Sequence, residues 1–469
     1  MKSRRVTSWI STFTNYSTTL WRPSSRRMRN SACPSAKLRA KPSRRTSRRI
    51  PVASTASISM RFPNGGSMMR RCGAPSTSIL IAATCESNPE IQSQQARIEE
   101  AIMSNDEVRD RVLSGEAWSE FCRALEAAGQ KVLDTRVGND ELDRVEGYRL
   151  LTRFLRYGLE GFLEYADPLT PELHCATHET IKIIMENPDS LYLGARIDGN
   201  HCYRIWGTLG TASWMSFNIH AGAFGGGGRG TVAVLDAKDL EVESDRSFEL
   251  FLGGPEREGN WIPMPPDASS VVMRQNLADR TKEVPCELQI ERIDAKGPPA
   301  PLTAERVDLA LKMTAGFMSG ITEMALSWSS FLEQYPNSFA DSIPPAAEIF
   351  RDPNILFHVA WFDLANDEAL VIDVVPPKCD YWMFVLHNRW LESLDYRYHR
   401  ISLNDSSAVL ESDGSLRVVV AHRDPGHLNW LDTAGHLQGT LGVRWVGADV
   451  ADVVPSAKRV NIKDVTSIS

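Results

Sequence analysis

Several signatures of common functional classes are missing from this 469-residue sequence. Its eight cysteines include no CxxC pair, which argues against a zinc ribbon or a disulfide scaffold and favours a reducing compartment. No G-x-S-x-G, G-x-x-x-x-G-K-[ST] or H-E-x-x-H motif occurs. No apolar run approaches the ~20 residues that a membrane-spanning helix needs. We therefore expect a cytoplasmic protein with no membrane partner and no cofactor.

Acidic side chains are absent from the first 85 residues, which hold 17 of the 52 Lys and Arg residues. This Arg/Ser/Pro/Thr-rich segment has no helical or strand periodicity, so residues 1–103 are predicted to be disordered. A transit peptide, a basic tail for nucleic acid, or a start site assigned too early would each explain it. The abrupt change of composition at Glu86 favours the last alternative, with initiation near Met103.

The rest of the chain is acidic, because it carries all 59 Asp and Glu residues and only 35 of the basic ones. Nucleic-acid sites are built from clusters of Lys and Arg that neutralise phosphates. We therefore expect the folded part to bind no nucleic acid.

Helical periodicity occurs before the first strand-like segments and again between two groups of them. Three amphipathic stretches with capping residues predict helices at about 114–129, 140–165 and 170–188. A fourth begins after the Pro-rich stretch 297–301, where Thr303 is a suitable N-cap. We interpret the first three as a helical layer and the fourth as a bridging helix.

Two strand-rich stretches repeat the same features in the same order. Each has a Trp-Met pair, an apolar run, a Pro/Gly turn, an Asn-Trp pair and a second apolar run that carries an arginine. Trp214 precedes Trp261 by 47 residues, and Trp382 precedes Trp430 by 48. Because tryptophan is rare and the spacings agree within one residue, we predict an internal duplication of one β-module.

Each predicted module opens with two strand-like runs that flank an Asp-Gly or Asn-Asp turn. The runs are 191–197 and 203–206 in the first module, and 357–364 and 369–375 in the second. Such a turn between apolar runs predicts a β-hairpin.

These patterns predict an α+β, mainly β fold, with two duplicated antiparallel β-sandwich or jelly-roll-like modules, an N-terminal helical layer and a bridging helix. A sandwich and a closed barrel are both compatible with the pattern. The predicted boundaries are 1–103 for the disordered basic segment, 104–189 for the helical layer, 190–296 for the first β-module, 297–353 for the linker and bridging helix, 354–450 for the second β-module and 451–469 for a tail.

The two predicted β-modules also carry a family resemblance. The sequence from about 114 to 447 resembles bacterial proteins of the DUF1214 family, a domain family of unknown function. The resemblance implies no catalytic residue, because no chemistry is established for that family. Its motif residues are Pro376-Pro377-Lys378-Cys379, Tyr381-Trp382, Asn388, Trp390, Glu392, Asp424-Pro425-Gly426 and Asn429-Trp430, with Asn260-Trp261-Ile262-Pro263, Asp267 and Val284-Pro285 in the first module.

The repeated Asn-Trp pairs and the arginines that follow them are the predicted ligand-binding residues. Tryptophan offers a stacking surface, and asparagine and arginine offer polar anchors for a small polar or acidic molecule. A structural role is the alternative, with Trp and Asn fixing a loop and Arg pairing with an acid. The alternation of apolar residues in 441–446 directs Arg444 away from the module core. The predicted residues are Asn260, Trp261, Arg274, Asn429, Trp430 and Arg444.

Histidines form two weaker candidate sites for a metal. His174 and His178 are four residues apart on the third predicted helix, beside Cys175 and Glu179. The second set is in the second module and contains His387, His399, His422, His427 and His436, with Glu392 or Asp424 as possible oxygen ligands. Neither set has a known metal-ligand spacing, so no metal site is predicted.

Three functional hypotheses follow. The first is a protein that binds a small polar or acidic molecule at the Asn-Trp loops or at the interface of the modules. The second is a metal-assisted hydrolase or lyase that uses the histidines of the second module. The third is a structural protein that docks another chain and has no pocket. The sequence does not predict an oligomeric state.

Overall fold

The computed structural model of the chain describes residues 104–223, 227–293, 295, 297–342, 352–449 and 453–467. The disorder predicted for 1–103 therefore lies outside the described residues. In the described part, no helix combines the length and apolar character needed to cross a bilayer. The α-helices of the described part are α1 (Asn105–Leu113), α2 (Glu116–Gln130), α3 (Glu141–Leu159) and α4 (Ala304–Leu332), and a π-helical turn (Glu160–Glu164) continues α3.

The helices form one layer because their apolar faces share a core. Asp140 caps α3 by accepting a hydrogen bond from the Asp143 amide, and Thr303 caps α4. The rings of Phe154 on α3 and Phe317 on α4 pack edge to face, with centroids 5.7 Å apart. The predicted bridging helix is therefore part of the same layer as the N-terminal helices.

Strands β1 to β9 form the first module, and strands β10 to β18 form the second. The first nine are β1 (His174–Thr177), β2 (Ser190–Arg196), β3 (Tyr203–Thr208), β4 (Trp214–Ala223), β5 (Gly227–Asp236), β6 (Ser247–Leu252), β7 (Trp261–Ile262), β8 (Ala268–Asn276) and β9 (Glu287–Arg292). The second nine are β10 (Ser338–Phe339), β11 (Ile355–Asp363), β12 (Glu368–Val374), β13 (Tyr381–His387), β14 (Ser402–Asn404), β15 (Leu416–Ala421), β16 (Trp430–Asp432), β17 (Gln438–Val446) and β18 (Ser456–Asn461).

Each module has a front sheet and a back sheet. The front sheet has the order β1-β2-β8-β4-β5 in the first module and β10-β11-β17-β13-β14 in the second. The back sheet has the order β7-β6-β3-β9 in the first module and β16-β15-β12-β18 in the second. The strand order of each sheet in the second module is that of the first module with nine added to every strand number. The two modules therefore have the same topology, in agreement with the predicted duplication.

The two sheets of each module enclose a common apolar core, which makes each module a sandwich rather than a barrel. Phe217 and Val271 of the first front sheet are fully buried in one cluster with Ile205 and Leu250 of the back sheet. The second module has the same arrangement. Alternate residues of the front strands therefore point away from this core, toward the helical layer.

The predicted hairpins are wrong, because each pair of runs contributes to two different sheets. The turn after β2 leads to β3 in the back sheet, and the turn after β11 leads to β12 in the other back sheet. Gly199 in the first turn lies against the crossing chain, since an added Cβ would lie 1.9 Å from Pro265 O. A turn signal locates a reversal of the chain, but it does not choose the strand with which the chain then pairs.

The third predicted helix, 170–188, is also wrong. His174 to Thr177 form β1, which pairs with β2 at the edge of the front sheet. The apolar residues Ile181 and Ile184 are buried as predicted, but in a chain segment whose Met185 amide donates to Leu391 O at 2.6 Å. Tertiary contacts override a local helical pattern here. At the other end, β18 pairs with β12 and so extends the second module into the stretch assigned to a tail.

The Asn-Trp pairs have the same contacts in both modules. Asn429 Nδ2 donates to Val409 O at 2.7 Å and to Arg417 O at 2.9 Å, and its Oδ1 accepts from the Val409 amide at 2.9 Å. Trp430 Nε1 donates to Ala421 O at 3.0 Å. These bonds hold the short parallel strand β16 beside β15, which favours the structural alternative.

In the first module Asn260 repeats this pattern. Its Nδ2 donates to Glu241 O at 2.8 Å and to Glu249 O at 2.9 Å, and its Oδ1 accepts from the Glu241 amide at 2.7 Å. Trp261 Nε1 donates to Gly253 O at 3.0 Å. The repeated pair therefore marks the point where each module pins its parallel edge strand to the back sheet.

Replacement of Asn429 by alanine is expected to lower the free energy of unfolding by about 2–3 kcal/mol, because backbone groups around this buried side chain lose their partners. Asn260→Ala is the matched variant, and it should cost about 1 kcal/mol because Asn260 is only half-buried and water can replace it. Urea unfolding followed by circular dichroism measures both. An Asn429→Ala protein of unchanged stability would contradict the structural role.

Candidate functional site

A cavity of about 310 Å³ lies between the two modules and the helical layer, and is called here the interface cavity. Its floor is the outward face of the first module's front sheet. Leu193 and Ala195 of β2 point into the sandwich core, so Tyr192, Gly194 and Arg196 point into the interface cavity. Strand alternation thus places polar and charged side chains outside one core and inside the cavity.

The remaining walls are largely apolar. The helical layer contributes Phe162, Phe317 and Trp328. The second module's front sheet contributes Phe357 of β11 and Arg444 of β17. A pocket of this size, with aromatic walls and few charged groups, is of the kind that holds small organic molecules.

Arg274 and Arg444 occupy equivalent positions of the two modules. Arg274 on β8 lies between Tyr192 on β2 and Ser216 on β4. Arg444 on β17 lies between Phe357 and Met383, on the corresponding strands β11 and β13. Both arginines line the interface cavity, so the structure brings these two sequence-predicted residues to one place.

The other four predicted residues are elsewhere. Within the described part of the chain, the lining of the interface cavity includes neither Asn260 and Trp261 nor Asn429 and Trp430. Their polar atoms contact the backbone of their own modules. A ligand role for the Asn-Trp pairs stays a prediction, and the arginines are the predicted residues with access to a cavity.

Arg444 is held in the cavity wall without a carboxylate. Its Nη2 donates to Met185 O, and its guanidinium lies 4.5 Å from the centroid of the Phe357 ring. Its Nη1 is fully buried and makes no hydrogen bond to any described residue. No described Asp or Glu lies within 4.0 Å of this guanidinium. Burial lowers the pKa of Arg444, although an arginine remains charged at neutral pH.

Arg274 has a buried carboxylate nearby. Its Nη1 lies 3.9 Å from Oδ2 of Asp352, which is 1% exposed. The same carboxylate oxygen accepts from Ser216 Oγ at 2.8 Å, and Asn218 Nδ2 donates to Ser216 Oγ at 2.7 Å. Asp352 therefore orients Arg274 and partly neutralises it, whereas the equivalent Arg444 lacks such a partner among the described residues.

His220 on β4 completes this side of the cavity. Burial, with a further contribution from the Arg274 charge, lowers the pKa of His220 to about 3. The imidazole is therefore neutral at physiological pH. The positive charge of the site comes from arginines and not from histidine.

Arg196 lies at the far end of β2 from Tyr192, and no sequence signal selected it. Its guanidinium stacks over the Phe162 ring at 4.9 Å, and its Nε donates to Gly161 O at 3.4 Å. Burial lowers the pKa of Arg196. The sequence does show Arg196 as a cationic residue within an apolar strand. The repeat did not select it, because the second module has no arginine at the corresponding position.

The histidines of the second module do not converge. His399 contacts Asp432 at 2.8 Å, and His436 contacts Glu146 at 2.9 Å. Over the described residues, no group of three or more His, Cys, Asp or Glu side chains could hold a metal ion. His174 lies on β1 and stacks on Tyr165 with centroids 4.3 Å apart, so the predicted helical pairing with His178 does not occur.

The loop after β13 holds the helical layer against the second module. Asn388 Nδ2 donates to Glu146 Oε2 at 2.7 Å. Arg153 Nη1 donates to Glu392 Oε1 at 2.6 Å, and Trp390 Nε1 donates to the Asp143 carbonyl at 2.6 Å. These contacts fix α3, and with it the helical wall of the interface cavity. Three of the motif residues in the family resemblance, Asn388, Trp390 and Glu392, make these bonds.

A second cavity, of about 460 Å³, adjoins the first. The two share five lining residues on the segment from β1 to β2, including Glu186 and Tyr192. Its outer side is formed by Tyr396 and Arg397 of the second module. The shared residues therefore separate the interface cavity from a more polar neighbouring space.

The comparisons with known proteins agree with this architecture. The model of a protein family of unknown function, DUF1214, matches residues 362–446, which lie in the second module. No protein of curated function matches the sequence. The VPA0106 protein from Vibrio parahaemolyticus has 11% identity and a TM-score of 0.40, over 72% of this chain and 100% of that chain. This similarity is too low to indicate a shared fold or function.

A crystal structure of an uncharacterized protein from Burkholderia cenocepacia is much more similar. It is 40% identical in sequence, with a TM-score of 0.74, and the match covers 76% of this chain and 100% of that chain. The relative is therefore matched over its whole length. The segment that matches the DUF1214 model lies in the second module, and the first module has the same topology. This chain belongs to the DUF1214 family.

Proposed function

We propose that this protein binds a small acidic molecule in the interface cavity, with Arg444 and Arg274 as anchors for the anionic group. The observation that carries the proposal is the guanidinium of Arg444, whose buried Nη1 lacks a hydrogen-bond partner among the described residues. A buried charge is costly unless it is paired and hydrogen-bonded. A carboxylate from a ligand would supply the missing acceptor and form charge-assisted bonds with the arginine.

The apolar walls favour an organic acid over an inorganic anion. Phe162, Phe317, Phe357 and Trp328 surround the space next to the arginines. Burying an apolar chain against these rings contributes roughly 25 cal/mol per Å² of apolar area removed from water. The ligand would thus combine an acidic head with an apolar body.

The alternative functions have less support. A metal-assisted hydrolase would use the histidines of the second module, but His399 and His436 bind separate carboxylates on different elements. A structural docking protein requires no enclosed space. The convergence of two equivalent arginines on one cavity weighs against that third hypothesis.

A cytoplasmic location and the absence of a nucleic-acid partner belong to this proposal. The five cysteines in the described part of the chain are all unpaired, which is usual in a reducing compartment. The acidic charge balance beyond residue 85 disfavours binding to phosphate backbones.

Arg444→Gln is expected to weaken binding of octanoate, a simple acid with an apolar chain, about tenfold to a hundredfold, because a charge-assisted hydrogen bond contributes about 1.5–3 kcal/mol. Isothermal titration calorimetry of the full chain measures the affinity. Arg459→Gln is the matched control, since Arg459 lies on β18 and is exposed. Equal affinities in wild type and both variants would contradict the proposal, and so would an absence of acid binding by the wild type.

The affinity for the acid should stay constant between about pH 8 and pH 6, and should fall as the ligand carboxylate protonates near its ordinary pKa of about 4–5. The reason is that His220, with a pKa of about 3, gains no proton in this range. A site anchored by an ordinary histidine would instead bind more tightly as the pH falls through about 6.5. Titrations at three pH values distinguish the two, and tighter binding on acidification would count against arginine anchors.

A further inference from the structure

The cavity contains a second arginine that lacks an acidic partner. Arg196 contacts the Gly161 carbonyl and the Phe162 ring. Among the described residues, no carboxylate lies within 4.0 Å of its guanidinium, as is also true of Arg444. Each of these arginines is therefore held by one backbone carbonyl and one aromatic ring, an arrangement that orients the charge without neutralising it.

The carboxylates in the cavity lining are already engaged. Both oxygens of Glu186 lie 3.2 Å from the Ser393 amide, and one also accepts from the Ser393 hydroxyl. Asp352 serves Ser216 and Arg274. Among the described residues, the lining thus holds two arginines with no carboxylate within 4.0 Å, and its two acids are already hydrogen-bonded.

The two arginines lie toward opposite ends of the cavity, Arg196 on its floor and Arg444 in its wall. Tyr192 pairs with Arg274 on the neighbouring strand of the floor, and Arg444 lines the same cavity from the second module, within electrostatic range of both residues. Arg196 lies four residues farther along β2, which is about 13 Å at ~3.3 Å per residue. The cavity therefore has a cationic group near each end.

The floor between these ends is low at Gly194, with His174 of β1 on one side of it and an apolar residue of β8 on the other. Gly194 lies midway between Tyr192 and Arg196 on β2, and Val272 is its neighbour on β8. A Cβ added at Gly194 would meet only Val271 O, at 3.7 Å, so this part of the floor is open to the cavity. The absence of a side chain at Gly194 leaves room for an extended ligand chain along this stretch.

We propose that the ligand is an extended molecule with an acidic group at each end, of the class of α,ω-dicarboxylates, which places one carboxylate at Arg444 and Arg274 and the other at Arg196. This inference rests on the proposed function and narrows its ligand class. The second carboxylate neutralises the arginine that a simple acid would leave unpaired. A dicarboxylate should therefore bind more tightly than the monocarboxylate of equal chain length.

The test compares suberate with octanoate, which have the same number of carbons and differ only in the second carboxylate. Titration calorimetry of the full chain at neutral pH should give suberate an affinity at least about tenfold higher, as expected for one added charge-assisted bond. Arg196→Gln should abolish this preference by lowering the affinity for suberate about tenfold. Arg444→Gln should weaken both ligands, and Arg459→Gln should change neither.

The possible failures are distinguishable. If wild type binds octanoate as tightly as suberate, and Arg444→Gln weakens both, the dicarboxylate inference is wrong and the proposed function stands. If wild type binds neither acid, both are contradicted. A suberate preference that persists in Arg196→Gln would overturn the assignment of the second carboxylate to Arg196, and circular dichroism of that variant verifies that it is folded. Should it be unfolded, the wild-type comparison of the two acids decides the ligand class alone.

Discussion

The attachment of α3 to the loop after β13 is the constraint on which the cavity depends. Trp390 enters the space above Gly147, where an added Cβ would lie 2.4 Å from its ring, and its indole N–H reaches the Asp143 carbonyl. Beside it, the buried pair of Arg153 and Glu392 joins the helix to the loop at 2.6 Å. Removing one partner of such a pair costs about 3–5 kcal/mol, because the other charge stays buried without compensation. Neither module by itself would enclose the interface cavity, since α3 and α4 supply its aromatic wall.

Each copy of the repeated motif contains both structural residues and a residue that faces the cavity. In both copies the Asn-Trp pair satisfies backbone groups of the back sheet, and the arginine that follows it lies on the front sheet. The strand crossing between them carries the chain from one sheet to the other. A short stretch of sequence can thus contain a residue that builds the sandwich and another that faces away from it toward a different layer.

The sequence predicted what depends on local pattern and repetition. The duplication was predicted from rare tryptophans at matched spacing, and Trp261 and Trp430 do make matching bonds. Trp214 and Trp382 are offset by one residue, because Trp214 pairs two residues from Arg274 and Trp382 pairs one residue from Arg444. The outward direction of Arg444 was predicted from strand alternation. The pairing of β2 with β8, instead of β3, could not be predicted, because both choices bury the same apolar residues and only the packing of two sheets decides between them. The helix predicted around Ile181 failed for a similar reason, since Ile184 packs in the core of the helical layer and the Met185 amide bonds to the second module. The meeting of Arg274 with Arg444, and the position of Arg196 beside Phe162, depend on how whole layers pack, which is a property of the tertiary structure.

Equivalent positions in duplicated modules start with the same surroundings and can then diverge independently. Arg274 has Asp352 beside it, and Asp352 comes from the chain that leads into the second module. Among the described residues, Arg444 contacts a carbonyl and a ring and has no carboxylate within 4.0 Å. Gene duplication can thus turn one symmetric feature into two different ones, a cation that a nearby carboxylate partly neutralises and a cation that has no described carboxylate within 4.0 Å. Homologues that differ at position 352 would be expected to differ in the charge of the molecule they accept, even where both arginines are retained.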